Sequence, residues 1–168
     1  MRRLCGGLVL LLAAAILPFA AGVRPARATL GESSASVARD AARMKASVTQ
    51  SAAPAPPTGA RTASPYSVAM LKAPDGTVVR EYVTSGGTVF AIAWRGPMPP
   101  DVALLLGAYF NQYRETAERT PPAIFGLHHA LVTGPDVTVE TGGHMGELWG
   151  RAWLPAMLPP GVEESQIE

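Results

Sequence analysis

Cysteine is almost missing from this chain: Cys5 is the only one in 168 residues. It stands ahead of a long apolar run, whereas a lipid-bearing cysteine would follow it, so no lipid anchor is expected. Any domain beyond that run has no thiol and must hold together by packing alone. A basic stripe is missing too; the arginines are scattered, which argues against nucleic acid as a partner. Histidine occurs three times, at His128, His129 and His144. Three imidazoles could ligate zinc, but neighbours on a strand point to opposite faces, so His128 and His129 cannot both serve one ion unless the strand is broken there. No metal and no cofactor is expected. No Gly-x-Ser-x-Gly elbow surrounds Ser67 or Ser85, and nothing places Glu81 beside Asp101 as a carboxylate pair. Gly142-Gly143 is too short to cradle a phosphate and reads as a hairpin turn.

Long hydrophobic runs are confined to the beginning. Arg2 and Arg3 precede an apolar run from about Leu8 to Ala21, and Ala26-Arg27-Ala28 has the small-x-small form of a cleavage site. The stretch from Leu4 to Val23 is uncharged and about 20 residues long, enough to span a bilayer. Gly6, Gly7 and Pro18 interrupt it, which favours a cleaved export signal over 1–28 and no stable membrane insertion afterwards. Arg2-Arg3 lacks the flanking residues of a twin-arginine signal, so the chain is expected to be exported unfolded. Cleavage before Thr29 removes Arg2, Arg3, Arg24 and Arg27, leaving 10 of the 14 basic side chains against 13 acidic ones. The sign of the net charge therefore reverses, from +1 for the whole chain to negative.

What remains is enough for one domain with a core. Over 29–50, Val37, Ala41, Met44 and Val48 recur at helical spacing, with Ser33, Ser34 or Ser36 as candidate caps. Residues 51–64 read as a linker, since Pro54, Pro56, Pro57 and Gly59 deny them helix and ladder bonds. The domain proper, 65–168, opens with a three-stranded meander over Tyr66–Lys72, Thr77–Val83 and Thr88–Arg95, punctuated by Pro74-Asp75-Gly76 and Ser85-Gly86-Gly87. In its third strand Phe90, Ile92 and Trp94 fall on one side, with Val89, Ala91 and Ala93 on the other, so that strand is expected to be central.

Pro99, Pro100 and Asp101 suit the first turn of a second helix. Its stripe of Val102, Leu105, Leu106, Tyr109, Phe110 and Tyr113 would contribute ~1.5 to 3 kcal/mol for each side chain buried, before the entropy of ordering. Thr120-Pro121-Pro122 stops it near Arg119. Three more strands follow, over Leu127–Thr133, Val137–Thr141 and Glu147–Leu154. Turn and strand motifs of the first meander are echoed in the second: Ala93-Trp94 by Ala152-Trp153, and Met98-Pro99-Pro100 by Leu158-Pro159-Pro160. The echo reads either as a duplicated α-β-β-β unit or as coincidence among turn residues.

The motifs Gly76-Thr77-Val78-Val79-Arg80-Glu81-Tyr82-Val83, Gly87-Thr88-Val89-Phe90, Ala93-Trp94-Arg95-Gly96-Pro97, Leu106-Gly107-Ala108-Tyr109-Phe110 and Gly142-Gly143-His144-Met145 occur in one order. With Leu30-Gly31, they resemble the bacterial exported family designated domain of unknown function 2844. The resemblance implies a periplasmic or secreted protein of a Gram-negative bacterium; it brings no activity and no site residues.

The expected fold is α+β, two helices packed on an antiparallel sheet of about six strands. The expected role is a non-enzymatic binding or accessory module whose partner is an envelope protein. The rival is a periplasmic hydrolase or metal-dependent enzyme with a site near His144. The candidate binding residues are His144, Trp149, Arg151 and Trp153. Alternation places Trp149, Arg151 and Trp153 on one face of the last strand, and Trp and Arg are the types enriched at binding hot spots. The competing structural reading packs both tryptophans under the helices while Arg151 extends to solvent.

Overall fold

In the computed structural model the described residues are 29–52, 64–119, 123–124 and 129–168. The expected export signal over 1–28, most of the expected linker and His128 lie outside them. The elements in chain order are α1 (Ala35–Met44), β1 (Ser47–Ala52), β2 (Tyr66–Lys72), β3 (Val78–Thr84), β4 (Val89–Gly96), α2 (Val102–Leu106), α3 (Phe110–Arg119), β5 (Ala123–Ile124), β6 (His129–Thr133), β7 (Thr138–His144) and β8 (Glu147–Trp153). The strands form one antiparallel sheet in the order β1-β2-β3-β4-β8-β7-β6-β5. The α+β class is as expected; the sheet is wider, because each meander has gained an outer strand.

The first added strand corrects the sequence reading of 29–50 and 51–64. The helix ends at Met44, Lys45 turns left-handed at φ 51°, and Ser47–Ala52 pairs with β2. Val48 continues the helical spacing, but it and Thr49 are β-branched, and the free edge of β2 offers them ladder hydrogen bonds that outweigh a weak helical preference. Val48 is accordingly exposed.

The second predicted helix exists in pieces. Gly107, at φ 44°, closes α2, and a 3-10 turn at Gly107–Tyr109 leads into α3. That backbone turn is one glycine takes at little cost. Asp101 sits at the N-cap of α2, where its Oδ1 accepts from the Leu104 N–H at 3.0 Å. Of the six stripe residues only Leu105 and Leu106 are fully buried; Val102, Tyr109, Phe110 and Tyr113 pack around them half-covered.

Both faces of the sheet are covered, by different things. On one, Val79, Val83, Val89, Ile92, Trp94, Val139 and Ala152 pack against Val37 and Ala41 of α1 and Leu105 and Leu106 of α2. On the other, Tyr66, Tyr82, Phe90, Ala91, Ala93 and Trp153 close around Ile167. Ile167 belongs to segment 154–168, which carries 3-10 turns at Pro155–Met157 and Glu164–Gln166. Tyr66, Tyr82 and Phe90 form an aromatic triangle with centroids 5.7 to 6.1 Å apart.

β4 is central, as its two apolar sides suggested, but its alternation is not the simple one. Tyr82 pairs with Ala91 and Val83 with Val89, so Phe90 is an extra, bulged residue. The bulge sends Phe90 to the Ile167 side and Val89 to the helix side, reversing both assignments. The doubling survives in strand order, since each half is a helix region followed by a four-stranded meander, and the halves join through β4 and β8. The Ala-Trp echo does not survive as an equivalence: Trp94 belongs to the helix-side cluster and Trp153 to the opposite one.

Candidate functional site

The turn between β7 and β8 decides what lies beside what on the face that carries segment 154–168. β7 runs on to His144, leaving Met145-Gly146 as the loop and pairing His144 with Glu147. Gly142-Gly143 is therefore inside a strand, and the predicted turn there is corrected. Gly142 is needed for packing: it stands opposite Trp149, whose ring occupies the place a Cβ would take, 2.5 Å away.

This register lines up two rows of side chains across the strands. One runs Arg95, Trp149, Gly142, His129; the next runs Arg80, Ala93, Arg151, Glu140. Between them the rows join a cation network to an aromatic one. Arg151 Nε donates to Glu140 Oε2 at 2.5 Å, and His129 Nε2 lies 2.5 Å from Glu140 Oε1. His129 also packs on Trp149, with ring centroids 5.4 Å apart. Burial alone would raise the Glu140 carboxyl, but hydrogen bonds and charge from Arg151 and His129 outweigh it and hold the group below the usual carboxylate range.

Arg151 does not extend freely to solvent, nor are the two tryptophans under the helices. Its Nη1 donates to the carbonyls of Glu164 at 2.7 Å and Ile167 at 3.2 Å, and its guanidinium lies 5.3 Å from the centre of the Trp153 ring. Trp153 is only 2 % exposed and donates from Nε1 to Glu164 Oε1 at 3.0 Å. Segment 154–168 is fastened further along by Arg80, which donates to the Glu168 carbonyl at 3.1 Å, and by Tyr82. The Tyr82 hydroxyl donates to that carbonyl and accepts from the Glu168 N–H, both at 2.8 Å.

Beside the fastened segment a groove of about 610 Å³ remains, lined by Arg80, Trp94, Arg95, Trp149, Arg151 and Glu168 among others. Trp149 is half-buried there. Arg95, its cross-strand partner, has a side chain 64 % exposed and only a loose pair with Glu147, at 3.6 Å. Arg80 and Arg151 are engaged by segment 154–168 and Glu140, which leaves the Arg95 guanidinium beside the Trp149 indole, an arrangement that suits a planar oxyanion carried on a flat or apolar body. Of the four sequence candidates, Trp149 and Arg151 line this groove. Trp153 is in the core beneath segment 154–168, and His144 is exposed at the hairpin end, 3.7 Å from Glu147.

Nothing in the local sequence marks Arg80, Arg95, Glu140 and His129 as partners of this site; cross-strand register brings them there. Placing the turn at Met145-Gly146 would have found Glu140 opposite Arg151 and Gly142 opposite Trp149. Among the described residues no three of His, Cys, Asp and Glu gather as they would around a metal, and no helix is long and apolar enough to cross a membrane. The chain belongs to the family described as Protein of unknown function (DUF2844), whose profile matches residues 26–167. No curated protein and no solved structure matches it.

Proposed function

We propose that this member of the family is an exported, non-enzymatic binding module of the cell envelope, matured by cleavage before Thr29 in the periplasm or on secretion. Its binding surface is the groove floored by Arg95 and Trp149. The observation that carries this is the cross-strand pairing of those two residues: an exposed guanidinium beside a half-covered indole, backed by Arg80 and Arg151. Its partner is an envelope protein that presents a carboxylate next to an apolar or ring-shaped group, read by a guanidinium fork with the indole underneath. Trp153 and His144 drop to supporting positions, one in the packing below and one at the rim hairpin.

Titration with acidic and amide-capped forms of the same aromatic-containing peptide tests the groove. Binding of the acidic form, lost in Arg95→Ala while the variant stays folded, is the expected result. Equal binding of both forms, or retention of binding in Arg95→Ala, overturns the assignment. Mass spectrometry of the protein recovered from the envelope is expected to find a chain beginning at Thr29. A species retaining Leu8 to Ala21 in the membrane pellet contradicts export as a cleaved chain.

A further inference from the structure

Two acids are buried with carboxyl oxygens that no hydrogen-bond donor among the described residues meets. Glu81 is 0 % exposed on the helix-facing side of β3, and Asp40 is 1 % exposed on the inner side of α1. Both carboxyl oxygens of Glu81 and Oδ2 of Asp40 are buried without a hydrogen-bond partner. The surroundings are apolar: the cross-strand neighbours of Glu81 are Ala69 and Ile92, and Val37 and Ala41 flank Asp40 along the helix. An isolated carboxylate is very costly in such a place, and the charge of Asp40 makes it worse for Glu81, whereas a carboxyl that keeps its proton costs far less.

We propose that Glu81 and Asp40 form a buried proton-binding site between sheet and helix, and that α1 remains docked on the sheet only while that site holds a proton. The groups facing it are few. From α1 come Arg39 and Arg43, and from the preceding turn comes Glu32. Arg39 is engaged by Glu32 at 2.5 Å, and Arg43 stands exposed, so neither enters the site as a counter-ion. α2 contributes only Leu105 and Leu106 from its buried face.

Burial pushes Glu81 up to about 8, with Asp40's charge adding to the effect. Burial likewise lifts Asp40 to about 6, against smaller opposing effects of Arg43 and Arg39. The unfolded chain gives up both protons near the ordinary 4.5 and 3.8. The native state thus binds more protons than the unfolded one through the intervening range. Its stability from this site is complete below about pH 4, and is lost as pH rises through about 6 and then about 8.

The test compares the unmodified chain with Glu81→Gln and Asp40→Asn, using urea unfolding and amide hydrogen exchange from about pH 5 to about pH 8.5. Expected is a rise of more than roughly a hundredfold in the unfolding equilibrium constant of the unmodified chain across that range. After correction for intrinsic exchange, α1 amides should open earlier than those of β8, and the pH dependence should flatten in the variants. Infrared difference spectra of the unmodified chain should carry a buried protonated-carboxyl band at neutral pH, a readout that stands even where a variant does not fold. Absence of that band overturns the proposal. So does a pH slope that Glu81→Gln and Asp40→Asn leave unchanged, or α1 and β8 amides that open together.

Discussion

The two faces of the sheet each hold a glutamate, and they treat it in opposite ways. Glu140 meets Arg151 and His129 and is held as a carboxylate. Glu81 has Ala69 and Ile92 as cross-strand neighbours, and burial, with the charge of Asp40 adding to it, pushes it toward its neutral form. The side-chain chemistry is identical; the difference lies in what each face is built to cover. The helix side is closed by apolar stripes that offer few donors. The other side is closed by segment 154–168, an irregular chain whose carbonyls need donors, so Arg80 and Arg151 are present and Glu140 balances the charge. The contrast separates a face specialised for packing from one with polar groups to spare, and the groove opens on the latter.

Breaking the paired side is expected to have the largest effect. Arg151→Ala strips Glu140 of its main partner and releases the carbonyls of Glu164 and Ile167. Loss of a largely buried pair member costs about 3 to 5 kcal/mol, and the residual exposure here brings the expectation to about 2 to 4 kcal/mol in urea unfolding. An effect near zero would mean that the network is not what fastens segment 154–168.

Acid sharpens the same contrast. Because Glu140 is depressed when folded, its contribution is present above the ordinary carboxylate range and is lost as pH falls through and below it. The two glutamates therefore give limbs of opposite slope, stability declining into acid through Glu140 and into base through Glu81. Glu140→Gln should weaken the acid limb and leave the basic one, as followed by melting temperature against pH. Equal change in both limbs would show the two faces to be coupled rather than independent.

Smaller changes are expected at the groove. Trp149→Ala removes a half-buried ring resting on Gly142 and should cost about 1 to 2 kcal/mol, below the ~3 to 5 kcal/mol of a fully buried aromatic. A loss at the upper figure would move Trp149 from groove floor to core. Arg95→Ala and His144→Ala touch exposed side chains and should stay within about 0.5 kcal/mol of the parent. Only the first should reduce binding of the acidic peptide.

Much of this architecture was legible in local pattern. The strands over Tyr66–Lys72 and Glu147–Leu154 match β2 and β8 to within a residue, because alternation and turn residues act at short range. The site was read less well. Trp149 and Arg151 stand out by residue type, but the acid that neutralises Arg151 comes from β7, and its position depends on a turn at Met145-Gly146. A shift of register changes every cross-strand partner and, when it is by a single residue, the face as well. The same rule explains Phe90, which one bulge moved to the opposite face.

By itself the sequence determined the α+β class, the central place of β4, and the apolar stripe of the second helical region, since each follows from periodicity and breakers within a few residues. Tertiary structure decided that Ser47–Ala52 pairs as a strand, that segment 154–168 closes one face, and which glutamate keeps its charge. The physical reason is one of range. Backbone hydrogen bonds to a distant free edge can override local propensity, and the state of a buried acid depends on groups brought near it only by folding.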